Sequence, residues 1–300
     1  MALGIDDVLV GCWTDDELAT GVTVILPPQG SQGVAVVRGG APGTRELAAL
    51  GPFASGRECH AVVLCGSSVF GLAAADGVAE WCAETGRGLD LGGAIIPVVA
   101  AAVVFDIKGV GHARPGPRAG TDACDAASCE DPDMGPVGVG RGCTVGKHAG
   151  RNFSQPGGQG WAVMAHGDLV VGALVAANGF GDVVSADGRV LAGSTAPPDR
   201  LRYPYASLEQ VAAWGEGRAN TTIGCIVTNA LLTKPEATRA TDLAHHGIAR
   251  AVRPSHTDVD GDALFMLSTG TVEASADLVA EMAGEAVASA IRSAVDPHRR

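Results

Sequence analysis

Apolar and polar positions fall into short alternating blocks along this chain. Residues 8–12 (VLVGC), 21–26 (GVTVIL) and 33–38 (GVAVVR) are β-branched apolar runs bounded by Gly, Pro or acidic connections, and they predict three strands. A fourth follows at 60–65 (HAVVLC). Gly66-Ser67-Ser68 then leads into 69–85, where Phe70, Leu72, Ala73, Val78 and Trp81 keep mostly helical spacing, so Ser67 and Ser68 read as helix caps. Residues 94–106 predict another buried strand segment, broken at Pro97. Residues 111–136 are polar and rich in Gly, Pro and Asp, as in a mobile surface insertion. A hairpin is predicted for 160–166 and 169–177, turning at Gly167-Asp168. Residues 185–218 are Pro/Ala/Gly-rich, with a short helical pattern near 207–214. From Arg218 to Lys234 the chain starts polar, then turns apolar with Ile223, Ile226 and Val227 among threonines, which predicts a buried strand. A helix at 234–251, a strand at 262–269 and an alanine-rich helix at 274–295 complete the pattern. There is no internal repeat. Strands come both consecutively and between helices, which fits a layered α/β sandwich better than a barrel.

Composition narrows the picture. Three hundred residues suffice for one large domain or two ordinary ones. Aromatics are 4% of the chain and glycines number 43, so the core must be built from Ala, Val, Leu and Ile in closely packed layers. A formal net charge of -12 argues against binding nucleic acid or an anionic membrane surface. The start, MALGIDDVLVG, lacks the basic and apolar regions of a signal peptide, and the apolar run from Ala94 to Phe105 is too short to span a bilayer, so a cytoplasmic protein is expected. The eight cysteines include no CxxC pair, which points to reduced thiols and no structural zinc.

Several motifs nearly match known chemistry and fail. Gly66-Ser67-Ser68 is no nucleophile elbow, because the second glycine would fall at Phe70. In 138–147 (GVGRGCTVGK) the phosphate-loop pattern needs glycine at Arg141 and Ser or Thr at His148, and the dinucleotide fingerprint needs glycine at Cys143. The aspartates of HTDVDGD (256–262) are not a calcium loop, since Ala263 and Thr269 stand where Gly and Glu are required. Asn220-Thr221-Thr222 is formally a glycosylation triplet, relevant only in a secreted chain.

Three other stretches carry a family resemblance: RGGAPGTRE (38–46), NTTIGCIVTNA (220–230) and HTDVDGD. With the glycine turn after strand 60–65, they resemble the self-cleaving L-aminopeptidase/D-amidase-esterase family, and HTDVDGD resembles its nylon-oligomer hydrolase branch. The match runs from Gly11 to Thr269 and covers 111–136 poorly. The resemblance implies a four-layer α/β/β/α sandwich of the N-terminal-nucleophile-hydrolase type. It implies one domain, residues 1–300, cut between Asn220 and Thr221 into chains 1–220 and 221–300 that assemble as a homotetramer. It implies hydrolysis of linear amides or short peptides without cofactor or metal.

The chemistry fits those positions. A threonine hydroxyl is a poor nucleophile until a base takes its proton, and a free α-amine with a pKa of roughly 7.7–8.0 can do so once the preceding bond is cut. The resemblance places Lys147 beside this nucleophile as a proton relay, Asn178 as an oxyanion donor, and Asp260 and Asp262 as groups that orient the amine and hydroxyl of Thr221. Alone, Lys147 reads as a solvated lysine, and Asn178 fits an Asn-Gly turn equally well. Asp258 reads as a turn residue. Phe105 stands where some members of the family carry a hydrogen-bonding Tyr; it lines the substrate site but cannot donate. Within the family the rival activity is that of an aminopeptidase or D-amino-acid amidase-esterase; outside it, an uncleaved binding protein.

Overall fold

The structure, a computed structural model, describes residues 1–107, 114–197 and 220–296. Its main strands are β1 (Leu9–Asp15), β2 (Thr20–Leu26), β3 (Gln32–Val37), β4 (Thr44–Arg45), β5 (Ala61–Cys65), β6 (Val99–Val103), β7 (Gly158–His166), β8 (Leu169–Asn178), β9 (Thr221–Leu231) and β10 (Ala263–Glu273). Two five-stranded sheets result, in the orders β1-β2-β5-β6-β4 and β7-β8-β9-β10-β3. The principal helices are α1 (Ala74–Glu84), α2 (Pro117–Asp125), α3 (Lys234–Ala251) and α4 (Ala276–Val295).

Three apolar clusters stack these elements into four layers. Val22, Val63 and Ala101 of the first sheet meet Val78 of α1 and Ala123 of α2. Leu64 and Ala102 meet Leu174, Cys225 and Phe265 of the second sheet. The far side of the second sheet, with Val175 and Ile226, meets Ile248 of α3 and Val287 of α4. The order is therefore α/β/β/α, and strands sandwiched between two layers read as near-continuous apolar runs. Each sheet holds one parallel pair joined through a helix, β5–α1–β6 and β9–α3–β10.

Helix α3 starts as its sequence dictates. Thr233 accepts from the Glu236 N–H, and the Glu236 carboxylate accepts from the Thr233 N–H, a capping box with Pro235 in the first turn. The hairpin β7–β8 turns at Gly167-Asp168, as predicted.

Four expectations are corrected. Residues 117–125 form a helix that buries Ala119, Gly120, Ala123 and Cys124, not a mobile insertion; small residues pack it tightly despite the Gly/Pro-rich sequence. Residues 94–96 are not a buried strand: they pair with Leu89–Leu91 in an exposed hairpin, and the buried strand starts only after Pro97. Residues 68–73 form a 3-10 turn before α1, so the helix is shorter than predicted. Ser67 makes no side-chain cap; it takes a left-handed backbone (φ 62°) and gives its N–H to Asp106 Oδ1 at 2.6 Å. The helical pattern predicted near 207–214 lies outside the described residues. Among the described residues no helix is long and apolar enough to cross a membrane.

Candidate active site

Thr221 opens β9, the middle strand of the second sheet, and is 5% exposed. Its neighbours are fixed by register: Asn178, the last residue of β8, lies opposite Thr221, while Asn220 bridges to Asp260 just before β10. Asn178, Thr221, Asp260 and Asp262 thus converge from three adjacent strand ends. A cavity of about 260 Å³ reaches Asn220 and Thr221 between Pro42, Ser68, Val103 and Phe105.

Among the described residues, two donors reach the carbonyl of Asn220. The Thr221 hydroxyl donates to it, and so does the Gly261 N–H, at 2.9 Å. Gly261 has no room for a side chain: a Cβ there would stand 2.8 Å from the Ala41 carbonyl oxygen and 2.9 Å from Thr221 Oγ1. The two glycine-bearing signatures lock together through backbone bonds. Arg38 N–H donates to the Asp262 carbonyl at 3.0 Å and Ala41 N–H to that of Asp260 at 2.8 Å, while Gly39 lets the loops touch.

Lys147 is not a surface lysine. It is 4% exposed, and its Nζ donates to the Asn178 carbonyl at 2.7 Å and to Asn178 Oδ1 at 2.8 Å. Burial pulls its pKa down to about 7. Its backbone is held by the bond from Lys147 N–H to the Phe180 carbonyl at 2.8 Å, and the adjoining His148–Asp182 pair, 3.0 Å apart, is fully enclosed.

Asn178 is an interior hydrogen-bond hub, not an open turn residue. Its Oδ1 also accepts from the Thr144 N–H at 3.0 Å, which with Lys147 fixes the amide's orientation. One of its amide N–H groups points at the Phe105 carbonyl, 3.3 Å away. Phe105 lines both the Thr221 cavity and a second one of about 360 Å³, and carries the Arg151 guanidinium 4.7 Å above its ring.

The two aspartates are buried at 1% exposure each, but among the described residues neither is bonded to Thr221 in the unbroken chain. Asp260 accepts from the Phe180 N–H at 3.1 Å and from the Thr257 hydroxyl at 2.5 Å. Burial, then the charge of Asp262, raises its pKa to about 6. Asp262 takes the Thr222 N–H at 2.6 Å on one oxygen and His256 on the other. Sequence reasoning missed His256 and the Gly261 N–H; both sit inside the HTDVDGD signature, but only the folded contacts reveal what they touch. Asp258 lies in a turn, as predicted.

The chain is similar to known proteins in sequence and in fold. An aminopeptidase of Mycobacterium leprae described as uncharacterized is 42% identical over 271 residues, covering 86% of this chain and 73% of the relative. The 6-aminohexanoate-oligomer endohydrolase of Paenarthrobacter ureafaciens is 31% identical over 274 residues, covering 89% and 74%. Among solved structures, the L-aminopeptidase D-Ala-esterase/amidase of Ochrobactrum anthropi, described as a variant of the Ntn hydrolase fold, superposes with a TM-score of 0.73 at 20% identity, covering 97% of this chain and 84% of that one. A β-aminopeptidase of Burkholderia sp. gives 0.68 at 21% identity, covering 97% and 85%. The four layers match that fold, and the model of peptidase family S58 matches residues 3–297: the chain belongs to this family of amide-cleaving hydrolases.

Proposed function

We propose that this protein is an autoprocessing amidohydrolase whose nucleophile is Thr221, freed as an N-terminus by cleavage of the Asn220–Thr221 bond. The observation that carries the reading is the convergence of the Thr221 hydroxyl and the Gly261 N–H on the carbonyl of that bond. In the first step Thr221 Oγ1 attacks the Asn220 carbonyl carbon. The Gly261 N–H stabilises the oxyanion, the C–N bond breaks, and the nitrogen takes a proton as an ester forms. Water then hydrolyses the ester, leaving an Asn220 carboxylate and a free Thr221 amine. Lys147, neutral above about pH 7, is the base available before that amine exists. A preorganised donor of this kind lowers a barrier by about 3–4 kcal/mol.

After the cut, the Thr221 amine is the base for its own hydroxyl, and Asp260 and Asp262 orient it. A linear amide enters the Phe105-lined cavity, its acyl group passes to Thr221 Oγ1, the amine leaves, and water releases the acid. Asn178 has a second amide N–H to offer the substrate oxyanion. The 6-aminohexanoate-oligomer relative supports linear oligomers as substrates. The mycobacterial relative at 42% identity favours a second reading, an aminopeptidase on short peptides. Rates on an N-blocked oligomer and on a free-amine peptide separate the two.

On a denaturing gel, wild-type protein should give two bands and Thr221→Ala one, with amide hydrolysis lost in the variant. Continued cutting of Thr221→Ala at the same bond would remove Thr221 as nucleophile, and an intact, inactive wild type would favour a binding protein.

A further inference from the structure

Behind the candidate site, the rings of His245 and His256 meet edge to face with centroids 5.0 Å apart. His256 Nδ1 lies 2.8 Å from Asp262 Oδ2, and its Nε2 lies 3.4 Å from the His245 carbonyl oxygen. Both partners are acceptors. A neutral imidazole donates from one nitrogen only, so the charged ring is the form that satisfies both. The His256 backbone N–H donates to the same Asp262 oxygen at 3.0 Å. The other oxygen of Asp262 holds the Thr222 N–H, one residue from the nucleophile, at 2.6 Å. A line of contacts therefore runs from α3 through His256 and Asp262 to the start of β9.

The charges around this line leave His256 as the cation within it. On its own loop stand Asp260 and Asp262. From α3 comes His245, whose pKa is pushed down to about 4, first by burial and then by His256, so it is neutral at working pH. Just past β3 stands Arg38, half-exposed and paired with Asp242 at 2.5 Å. Lys147 and Asp260 interact electrostatically.

We propose that His256 is a positioning residue: as an imidazolium it pins Asp262 against the Thr222 N–H and supplies the positive charge that lets two aspartates share the pocket beside Thr221. The proposal rests on the reading of Thr221 as nucleophile. Burial lowers the His256 pKa, but the hydrogen bond and charge of Asp262 outweigh it, and the net shift is upward. The attraction is mutual: without it, Asp260 must hold its proton to still higher pH.

His256→Asn is the test. His256 has φ 56°, a left-handed conformation that asparagine tolerates well, and the amide keeps a donor without the charge. The rate of p-nitroanilide hydrolysis by the cut enzyme is followed from pH 5 to 9, with thermal melting as the folding control. The ratio of the rate at pH 8 to that at pH 5.5 should grow about tenfold over wild type, the effect of moving one pKa by about one unit. An unchanged ratio, including a uniform loss at every pH, would overturn the proposal. The ¹⁵N shifts of the His256 ring in wild-type protein give a readout that needs no variant. Protonation of both nitrogens at pH 7.5 supports the proposal, and a neutral ring at pH 7 overturns it. A wild-type chain that neither cuts itself nor hydrolyses amides would instead defeat the Thr221 reading and the functional half of this one, while the ring shifts still decide the charge.

Discussion

A lysine amine enclosed at 4% exposure is costly in its charged form, and among the described residues Lys147 has only neutral acceptors, both on Asn178, within hydrogen-bond reach. That is why its proton leaves near pH 7, and why it suits proton transfer. Lys147→Met should keep the volume and lose the base, slowing the cut by about 100-fold or more at pH 8 on a gel time course while the protein still melts cooperatively. Full cutting in that variant would exclude Lys147. The sign of the pH dependence follows from the same shifts. Cutting needs the neutral amine of Lys147, so its rate should climb through about pH 7 and level off about one pH unit higher; turnover by the cut enzyme needs the carboxylate of Asp260 and should climb through about pH 6. A rate falling across either interval would contradict that role. For stability, the folded chain binds fewer protons than the unfolded chain at Lys147 from about pH 7 to the ordinary lysine value of 10.5. That group's contribution to stability therefore rises with pH across the window.

At the scale of elements, β9 is central because it is paired on both sides, antiparallel to β8 and parallel to β10. Helices α3 and α4 cover this sheet and cross where small residues meet: a Cβ at Gly247 would lie 2.2 Å from the Gly284 carbonyl oxygen. Gly247→Ala should therefore destabilise by about 1–3 kcal/mol, read from the denaturant midpoint, although alanine has the higher helix propensity. A stabilised variant would mean that the helices do not approach so closely. The bounds of α3 and the β7–β8 hairpin were legible because strong caps and a two-residue turn mark them locally. Helix α2 was not, because its buried face, at helical spacing, is made of the small residues Ala119, Gly120, Ala123 and Cys124, which a Gly/Pro-rich stretch does not mark as core. Residues 94–96 misled because an apolar run carries no sign of which part meets a layer. In the site, Thr221, Lys147 and Asn178 could be marked from strand ends and motif matches. The Gly261 N–H and the His256 ring could not: Gly261 reaches a backbone oxygen, on Asn220, some forty residues away, and the ring joins Asp262 to a backbone oxygen of α3, contacts that sequence does not display.

For the whole molecule, the Asn220–Thr221 bond lies at the start of β9, while β9, α3, β10 and α4 after it are packed into the layers. Cutting it removes one covalent link and leaves the pairing of β9 and the cover of α3 and α4 in place. The two pieces should therefore elute together in gel filtration under native conditions and separate only in denaturant. Spontaneous separation in buffer would mean that the second sheet depends on the intact chain.

The most direct measurement is N-terminal sequencing of the smaller fragment from purified, active enzyme. Self-cleavage as described predicts that it begins Thr-Thr-Ile-Gly-Cys, at Thr221. A fragment beginning elsewhere, or amide turnover by a chain whose backbone is whole, would contradict it.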